Sequence, residues 1–260
     1  VTIIMVAPII LLFMSSISSE RSLLVYGYSF VPKEFSLEAY EYIFSNAQTI
    51  FRAYGITILV TVIGTACNLI LSSMTAYALS VRKLPFRNII SFYIFFIFFF
   101  NGGLVPSYLM WTSIFHIKNT IFALIVPNFM LSAMNVILIR TYYSTSIPEA
   151  LYEAAKIDGA SYLYIFRKIV LPMGKPILVT MGLFSGLGYW NDWTNGLYYI
   201  NDAKLYSIQN LLNKMIQDIQ ALQANASASA SSAIMQIPTV SVRMAIAFVA
   251  LLPILVIYPF

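Results

Sequence analysis

The chain is poor in charged residues. Of its 260 residues only 10% are Asp, Glu, Lys or Arg, whereas 60% are hydrophobic, and the mean hydropathy is +0.80. Soluble domains carry about 25% charged residues, so this chain lacks the polar surface that would keep it dissolved. The composition excludes a soluble enzyme, a disordered chain and a nucleic-acid-binding domain. It indicates an integral membrane protein.

Cysteine and histidine are almost missing as well. Cys67 is the only cysteine, which excludes an internal disulfide framework and a cysteine-based metal site. His116 is the only histidine, which argues against a histidine-rich metal site or proton relay. The sequence has no loop of the form G-x-x-x-x-G-K-[ST], so it cannot bind ATP through such a loop.

The long apolar runs lack ionisable groups. Ion-coupled transporters usually place such groups inside the membrane, and voltage sensors need a ladder of arginines there. An intramembrane protease would need His or Asp side chains at the same depth. Here the polar groups in the runs are amides and hydroxyls, such as Asn68, Asn128 and Asn135. The energy for any uphill transport must therefore come from another chain.

Apolar runs are what the chain has in abundance. A helix needs roughly 20 consecutive apolar residues to cross a bilayer core. We predict an all-α polytopic membrane protein with a single transmembrane domain over residues 1–260, and we expect the natural chain to extend a little beyond both ends. Its six predicted transmembrane helices cover residues 1–17, 54–79, 89–109, 120–139, 177–190 and 244–260.

Lysine and arginine predict the orientation. The loops at 80–88 and 140–175 hold eight cations and three acids, whereas the loops at 18–53, 111–119 and 191–243 hold seven of each. Because positively charged loops stay in the cytoplasm, the first set is predicted to be cytoplasmic. Both termini then lie on the cytoplasmic side, and the long loop at 191–243 is extracytoplasmic.

The longest cytoplasmic loop has the pattern of two short helices. Ser146 with Glu149 three residues later forms a capping box, which predicts a helix over 147–157. Gly159 favours the left-handed conformation that ends a helix, and a second amphipathic run stops at Pro172. Two helices that meet at a glycine make a knob suited to docking in a cleft of a cytoplasmic partner.

The same loop resembles that of a known family. It resembles the EAA motif of binding-protein-dependent ABC importer permeases. The matching residues are Glu153-Ala154-Ala155, then Gly159 after three residues, and Ile169-x-Leu171-Pro172 after nine more. The likeness to the carbohydrate-uptake branch, which includes the maltose permeases, extends through Asp158, Ala160, Phe166 and Pro176. The run at 101–108 is similar to that of the sub-branch for complex oligosaccharides, and the run at 190–193 to the family's exit from the fifth span.

The resemblance implies the type I ABC importer permease fold, in the bacterial plasma membrane, and a set of partners. These are a second homologous permease in a heterodimer, two ATP-binding subunits, and an extracytoplasmic solute-binding protein that delivers an oligosaccharide and meets the loop at 191–243. ATP and Mg belong to the partner subunits, so the resemblance implies no cofactor and no enzymatic activity in this chain. Closure of the ATPase dimer would pull on the knob and switch the spans from inward-facing to outward-facing.

The resemblance also assigns residues to this coupling. Glu153 would form a polar contact with the ATPase, Gly159 would set the bend, and Ala154 and Ala155 would allow close packing. The full set of implied ATPase-coupling residues is Glu153, Ala154, Ala155, Asp158, Gly159, Ile169, Leu171 and Pro172.

Aromatic and amide side chains are candidates for a solute pathway, because sugars stack on flat rings and bond to amides. The candidates are Asn128, Asn135, Tyr189, Trp190, Asn191 and Trp193. The aromatic residues also fit the interfacial belt that anchors spans at headgroup depth, and the two asparagines also fit hydrogen bonds between neighbouring helices. Gly182 and Gly186, four residues apart, predict close packing of the fifth span against another helix.

Three other functions remain alternatives at this point. The first is an ABC importer permease for a non-sugar solute such as a peptide, an amino acid or a metal. The second is an export or structural membrane subunit, which would need neither the knob nor a large outer loop. The third is an integral membrane enzyme, against which the lack of paired ionisable groups in the spans argues.

Overall fold

A computed structural model describes residues 2–45, 47–81, 84–100, 102–127, 130–225 and 239–257. This part of the chain is helical and contains no β-strand, and one antiparallel bridge joins Ser18 and Phe35. The predicted all-α class is confirmed. The helices are α1 (Thr2–Ser16), α2 (Glu20–Tyr26), α3 (Glu38–Ser45), α4 (Ala47–Ser80), α5 (Arg87–Phe99), α6 (Leu104–Leu109), α7 (Phe122–Ile125), α8 (Ala133–Ser146), α9 (Glu149–Ile157), α10 (Tyr162–Ile165), α11 (Leu171–Met173), α12 (Lys175–Trp190), α13 (Thr194–Tyr199), α14 (Ile208–Asn225) and α15 (Thr239–Ile257). Two π-helical turns, Met110–Ile114 and Phe166–Val170, follow α6 and α10, and a 3₁₀ turn covers Ala203–Leu205.

The chain divides into two compact units. The first comprises Val1–Ile56 and Ala203–Phe260, and the second comprises Thr57–Asp202. In the first unit α15 packs against α1, α2, α3 and α14. The ring centroids of Phe13 in α1 and Phe248 in α15 lie 4.9 Å apart. The buried residues of this core are Ala39, Ile43, Ile50, Ala53, Ile208, Val242, Ala245, Ile246 and Ala250.

A buried carboxylate holds the start of the last helix in the first unit. The carboxylate of Glu20 accepts hydrogen bonds from the backbone N–H groups of Val240 (2.9 Å) and Ser241 (2.8 Å), and from the Ser241 hydroxyl (2.9 Å). The first N–H groups of a helix have no partner within the helix and favour negative charge nearby. Glu20 therefore fixes the N-terminus of α15 to the N-terminus of α2.

The core of the second unit forms where α4 and α8 meet the segment that carries α9, α10 and α11. The buried residues of this core are Ala76, Tyr77, Leu79, Val136, Ile139, Tyr143, Ile147, Ile165, Phe166, Val170 and Met181. A Cβ on Gly174 would overlap the ring of Tyr143. Glycine at this position therefore lets Tyr143 reach the middle of the core.

Glycines also set how closely α4 and α12 approach. A Cβ on Gly182 would lie 3.2 Å from Leu69 Cδ1, and one on Gly186 would lie 3.6 Å from Thr65 Oγ1. Both neighbours belong to α4, so the close packing predicted for the two glycines is confirmed. On the facing side a Cβ on Gly64 would overlap the ring of Tyr189.

The predicted transmembrane helices correspond unevenly to the observed helices. Within the described residues α4 alone is long and apolar enough to cross a membrane by itself. Two further candidates pass the same test only as bent pairs, one over Arg87–Phe99 and Leu104–Ile114, the other over Tyr162–Met173 and Lys175–Trp190 with a bend of 79°. Val6–Ser16 and Val240–Leu251 are shorter apolar helices. The count of six spans stays a prediction.

Local chemistry explains where the apolar runs are broken. The run predicted over 120–139 is not one helix, because α7 ends at Ile125 shortly before Pro127 and α8 begins only at Ala133, after the N-cap Ser132. Proline removes a backbone donor that a continuing helix needs. Before α6, Gly103 has a φ of +90°, a backbone conformation that residues other than glycine rarely adopt. Hydropathy therefore predicts which stretches are apolar but not where a helix stops.

Candidate functional site

The candidate coupling segment begins with α9, which follows α8 after a short extended turn. The predicted N-cap at Ser146 is wrong, because Ser146 is the last residue of α8 and the cap position is taken by Pro148. The helix α8 continues past its apolar part through Thr141 and Thr145, whose hydroxyls donate to carbonyls four residues earlier, at 2.8 and 2.9 Å, and so have partners inside the helix. The apolar run predicted to end at residue 139 therefore did not mark the end of α8, which continues to Ser146.

Gly159 ends α9 in the way the sequence predicted. Its φ is +75°, in the left-handed region. The backbone N–H of Gly159 donates to the carbonyl of Lys156 at 3.0 Å, and the N–H of Ala160 donates to the carbonyl of Ala155 at 2.9 Å. This pair of bonds is a Schellman motif, in which the residue at the left-handed position is usually glycine. The bend between the two helices of the knob therefore depends on Gly159.

The second half of the knob enters the core of the unit. Ser161 starts α10 by accepting a hydrogen bond from the N–H of Tyr164. Ile165, Phe166 and Val170 are buried, whereas Ile169 and Leu171 of the motif are half-buried. The helical segment ends at Met173, one residue beyond the predicted stop at Pro172, and Pro172 lies in the first turn of α11, where proline is tolerated.

Tyr77 attaches the knob to the long helix α4. Its ring stacks on Phe166 with centroids 5.3 Å apart and on Tyr152 of α9 with centroids 6.3 Å apart. Its hydroxyl donates to the backbone carbonyl of Tyr162 at 3.2 Å. One side chain near the end of α4 thus contacts both helices of the knob.

The outer surface of the knob is apolar and bordered by charges. Ile157 is 86% exposed, and Leu151, Tyr162, Leu163 and Tyr164 are also exposed. The motif residues Glu153, Ala154, Asp158, Gly159 and Pro172 are exposed, whereas Ala155 is half-buried. The ammonium of Lys156 lies 4.8 Å from the ring centroid of Tyr162. Large apolar side chains with charged neighbours on a projecting helix are typical of a protein-docking surface.

Asn135 joins three helices. Its amide Nδ2 donates to Asn68 Oδ1 at 2.7 Å and to Ser185 Oγ at 2.8 Å, and Ser185 Oγ lies 3.0 Å from Asn68 Oδ1. These residues belong to α8, α4 and α12, and both amides are buried. This geometry supports the alternative that Asn135 bonds neighbouring helices. Asn128 lies outside the described residues.

The residues at the end of α12 have different environments. Tyr189 and Trp190 are buried, and the Tyr189 hydroxyl donates to the carbonyl of Ile125 at 2.9 Å. The amide of Asn191 donates to the carbonyl of Leu187 at 2.9 Å and thereby helps to end α12. Trp193 is 46% exposed. Of these four candidates for the solute pathway, Trp193 presents an accessible ring face in this conformation, and the role of all four stays a prediction.

The turn after α12 contains a buried carboxylate, Asp192, which belongs to the run at 190–193 that resembles the family's exit from the fifth span. Asp192 accepts hydrogen bonds from the N–H groups of Thr194 (3.0 Å) and Asn195 (3.2 Å), and the Asn195 amide donates to the Pro127 carbonyl (3.2 Å). Burial raises the pKa of the Asp192 carboxyl, and these hydrogen bonds oppose that rise. Aspartate favours turns because its side chain can accept a hydrogen bond from the backbone two residues later. That signal for a turn at Asp192 was available in the sequence.

Comparison with known proteins identifies the family. The model of the binding-protein-dependent transport system inner membrane component matches residues 68–260. The chain belongs to this family. Its members are membrane components of ABC transport systems, so the protein is a permease and not an enzyme.

Relatives and a solved structure extend the match to nearly the whole chain. The permease is 36% identical over 258 residues to YtcP of Bacillus subtilis (strain 168), a polygalacturonan/rhamnogalacturonan transport system permease protein, covering 99% of this chain and 88% of that protein. It is 34% identical over 259 residues to LplC of the same strain, covering 99% and 85%. A crystal structure of a bacterial ABC transporter involved in the import of the acidic polysaccharide alginate superposes with a TM-score of 0.84 at 29% identity, covering 99% of this chain and 90% of that one.

Proposed function

We propose that the permease takes up oligosaccharides that an extracytoplasmic solute-binding protein delivers, driven by ATP that partner subunits hydrolyse. The observation that carries the proposal is the exposed knob of α9 and α10, which bears the EAA motif and is anchored to α4. The relatives named for polygalacturonan and rhamnogalacturonan, and the transporter named for alginate, support a saccharide cargo. An acidic saccharide fits both names best.

The assembly we propose is a heterodimer of two homologous permeases on two ATP-binding subunits. ATP and Mg would bind to those subunits, and this chain would hold neither. The apolar surface of the knob, with Ile157 at its most exposed point, would enter a cleft of one ATPase subunit. The motif residues Glu153, Ala154, Asp158 and Gly159 lie on the exposed part of this knob.

Movement of the knob would be transmitted through its inner face. Tyr77 contacts α9 through Tyr152 and the second half of the knob through Phe166. The half-buried Ile169 and Leu171 carry the same segment into the core, and α12 follows after Met173. Closure of the ATPase dimer would therefore act on α4 and α12 together. These two helices carry Asn68 and Ser185, which bond to Asn135.

We also propose six membrane-spanning segments, with both termini and the knob on the cytoplasmic side of the plasma membrane. The excess of Lys and Arg in the loops at 80–88 and 140–175 supports this orientation. The spans would include bent and broken helices, which membranes tolerate where the protein itself surrounds the break. The solute-binding protein would meet the outer loop at 191–243, which contains α13 and α14.

The test is the ATPase activity of the complete complex, purified with its neighbouring subunits, with and without binding protein and candidate solutes. Galacturonate and rhamnogalacturonan oligosaccharides should stimulate hydrolysis. Stimulation by amino acids or peptides instead would replace the saccharide cargo with the non-sugar alternative.

The variant Gly159→Val tests the coupling role of the knob. A residue with a side chain loses about 1–2 kcal/mol in the left-handed region, and each 1.4 kcal/mol is a factor of ten, so we expect stimulation to fall about tenfold. Gly27→Val is the control for a positive-φ glycine outside the knob, since Gly27 has the same φ of +75° with a ψ of −167°, equally open surroundings and a place in the first outer loop. Equal stimulation of Gly159→Val and wild type, with both complexes assembled, would reject the coupling role.

A further inference from the structure

Two tyrosines and a lysine form a cluster beside the loop at 111–119. The ring of Tyr108, in α6, lies parallel to the ring of Tyr199, the last residue of α13, with centroids 5.9 Å apart and an interplanar angle of 10°. Tyr199 is buried, whereas Tyr108 is half-buried. The ammonium group of Lys118 donates to the Tyr108 hydroxyl at 3.0 Å and lies 5.6 Å from the centroid of that ring. We call these three side chains the tyrosine–lysine cluster.

Asn119 fixes the backbone next to Lys118. Its φ is +56°, in the left-handed region that asparagine adopts more readily than most residues. Its N–H donates to the carbonyl of Tyr199 at 3.0 Å, and its Oδ1 accepts from the N–H groups of Asn201 (2.6 Å) and Asp202 (3.3 Å). These bonds join the loop to the end of α13. The ammonium group is therefore held beside the two rings before any ligand binds, and such preorganisation lowers the cost of binding.

The ammonium group of Lys118 is not neutralised by an acidic side chain. No Asp or Glu occurs in residues 42–148. Asp202 reaches the same turn through its backbone N–H, and in the described part of the chain no ion pair involves Lys118. An ammonium group has three donors, of which Tyr108 takes one, and the Lys118 side chain is exposed. The cluster therefore presents a cation that has donors left for a ligand.

The chemistry of the cluster matches that of a uronate sugar. The loops predicted to be extracytoplasmic hold seven cations and seven acids, so their net charge does not attract anions, and an acidic solute must be recognised by individual cations. A uronate carries one carboxylate and a ring surface of C–H groups. A carboxylate forms charge-assisted hydrogen bonds with an ammonium group, and C–H groups pack on an aromatic ring. A neutral sugar would use the ring alone.

We propose that the tyrosine–lysine cluster recognises the carboxylate of an acidic saccharide, with Lys118 as the residue that determines this specificity. The carboxylate binds the Lys118 ammonium group, and the sugar ring packs on the accessible part of Tyr108. Tyr199 lies behind Tyr108 and supports it without touching the solute. This inference rests on the proposed function and on the proposed orientation, which puts the loop at 111–119 on the side where the binding protein releases its solute.

Uptake by the complete complex in proteoliposomes, with its binding protein, tests the proposal. The two solutes are a galacturonate oligosaccharide and its methyl ester, which keeps the rings and the length but loses the charge. Exposed ion pairs contribute a factor of about two to five, so Lys118→Gln should lower uptake of the acid about two- to fivefold and leave uptake of the ester unchanged. Wild type and variant use the same binding protein, so its own preference cancels when their ratios of acid to ester uptake are compared.

Three further variants separate specificity from structure. Lys33→Gln is the matched control, because Lys33 is also an exposed lysine in a predicted outer loop beside a tyrosine ring, 3.7 Å from the centroid of Tyr26. It should behave like wild type. Tyr108→Phe removes only the hydroxyl that positions Lys118, so it should lower the ratio less than Lys118→Gln does. Lys118→Arg keeps the charge and should keep the preference for the acid. These two conservative variants also decide the question if Lys118→Gln does not assemble.

The outcomes that overturn the inference differ from those that overturn the proposed function. An equal fall for acid and ester in Lys118→Gln would make Lys118 a contact for the binding protein or for lipid headgroups, and an unchanged ratio would exclude any role in recognition. A wild type that takes up the ester but not the acid would reject this inference and leave saccharide import standing. A wild type that takes up neither would reject the proposed cargo, and this inference with it.

Discussion

At the scale of single residues, two glycines of the same helix have opposite surroundings. A Cβ on Gly64 would overlap the ring of Tyr189, whose hydroxyl is held by the carbonyl of Ile125. A Cβ on Gly55 would meet nothing within 4 Å. Both lie in α4, so helix propensity treats them alike. The difference between them isolates the contact with Tyr189.

We therefore expect opposite effects from the same substitution. Gly55→Ala should leave the melting temperature of the purified complex unchanged or raise it, because alanine stabilises a helix by about 0.5–1 kcal/mol relative to glycine. Gly64→Ala should lower it, because an added methyl group in a packed interior costs about 1–3 kcal/mol. Thermal unfolding in detergent measures both, and Tyr189→Leu in the Gly64→Ala background should recover part of the loss. Equal melting temperatures for the two alanine variants would contradict the observed packing.

The amides show how far residue-level prediction could go. The sequence places Asn135 in an apolar run, which leaves open whether it lines a pathway or joins helices. The structure brings it within 2.7 Å of Asn68, which is 67 residues earlier in the chain. No local pattern encodes such a distant partner. The same holds for Glu20 and Ser241, which are 221 residues apart.

At the scale of helices, the start of α15 depends on one carboxylate. Glu20 lies in α2 and satisfies the first donors of α15, at Val240 and Ser241. We expect Glu20→Ala to destabilise this end by about 1 kcal/mol or more, the usual effect of losing a helix cap. Hydrogen exchange of the amides at the start of α15 should become faster.

Two further variants make this prediction specific. Glu20→Gln keeps one carbonyl oxygen as an acceptor but loses the negative charge, so its effect should be intermediate. Glu41→Ala removes an exposed glutamate from α3 and should leave the exchange unchanged. If Glu20→Ala exchanged like Glu41→Ala, the carboxylate would have no role in holding α15.

The sequence predicts the end of a helix only where a specific residue is required at that end. Gly159 was predicted correctly because the left-handed position of a Schellman motif selects glycine. Ser146 was assigned wrongly because a serine three residues before a glutamate also occurs inside the last turn of a longer helix, here α8. The break near Gly103 and the gap before Ser132 lie in uncharged runs, where hydropathy carries no signal for a bend.

At the scale of the whole molecule, the distribution of Lys and Arg predicts the same cytoplasmic side that the proposed role of the knob requires. The loops at 80–88 and 140–175 hold eight of the fifteen Lys and Arg residues in a minority of the loop sequence. The second of these loops carries the knob, which a cytoplasmic ATPase must reach. An orientation derived from charge alone thus puts the proposed coupling surface on the side where ATP is available.

Site-directed labelling tests this orientation, and the chain suits it because Cys67 is its only cysteine. In a Cys67→Ala background, Lys168→Cys should react with a membrane-impermeant maleimide in inverted vesicles but not in spheroplasts, since the positively charged side stays cytoplasmic. Lys118→Cys, in the loop at 111–119, should react in spheroplasts only. Both original lysines are exposed, so both cysteines should react in detergent, which controls for accessibility. The reverse pattern would put the knob outside the cell, where no ATPase could engage it, and would reject the coupling mechanism together with the topology.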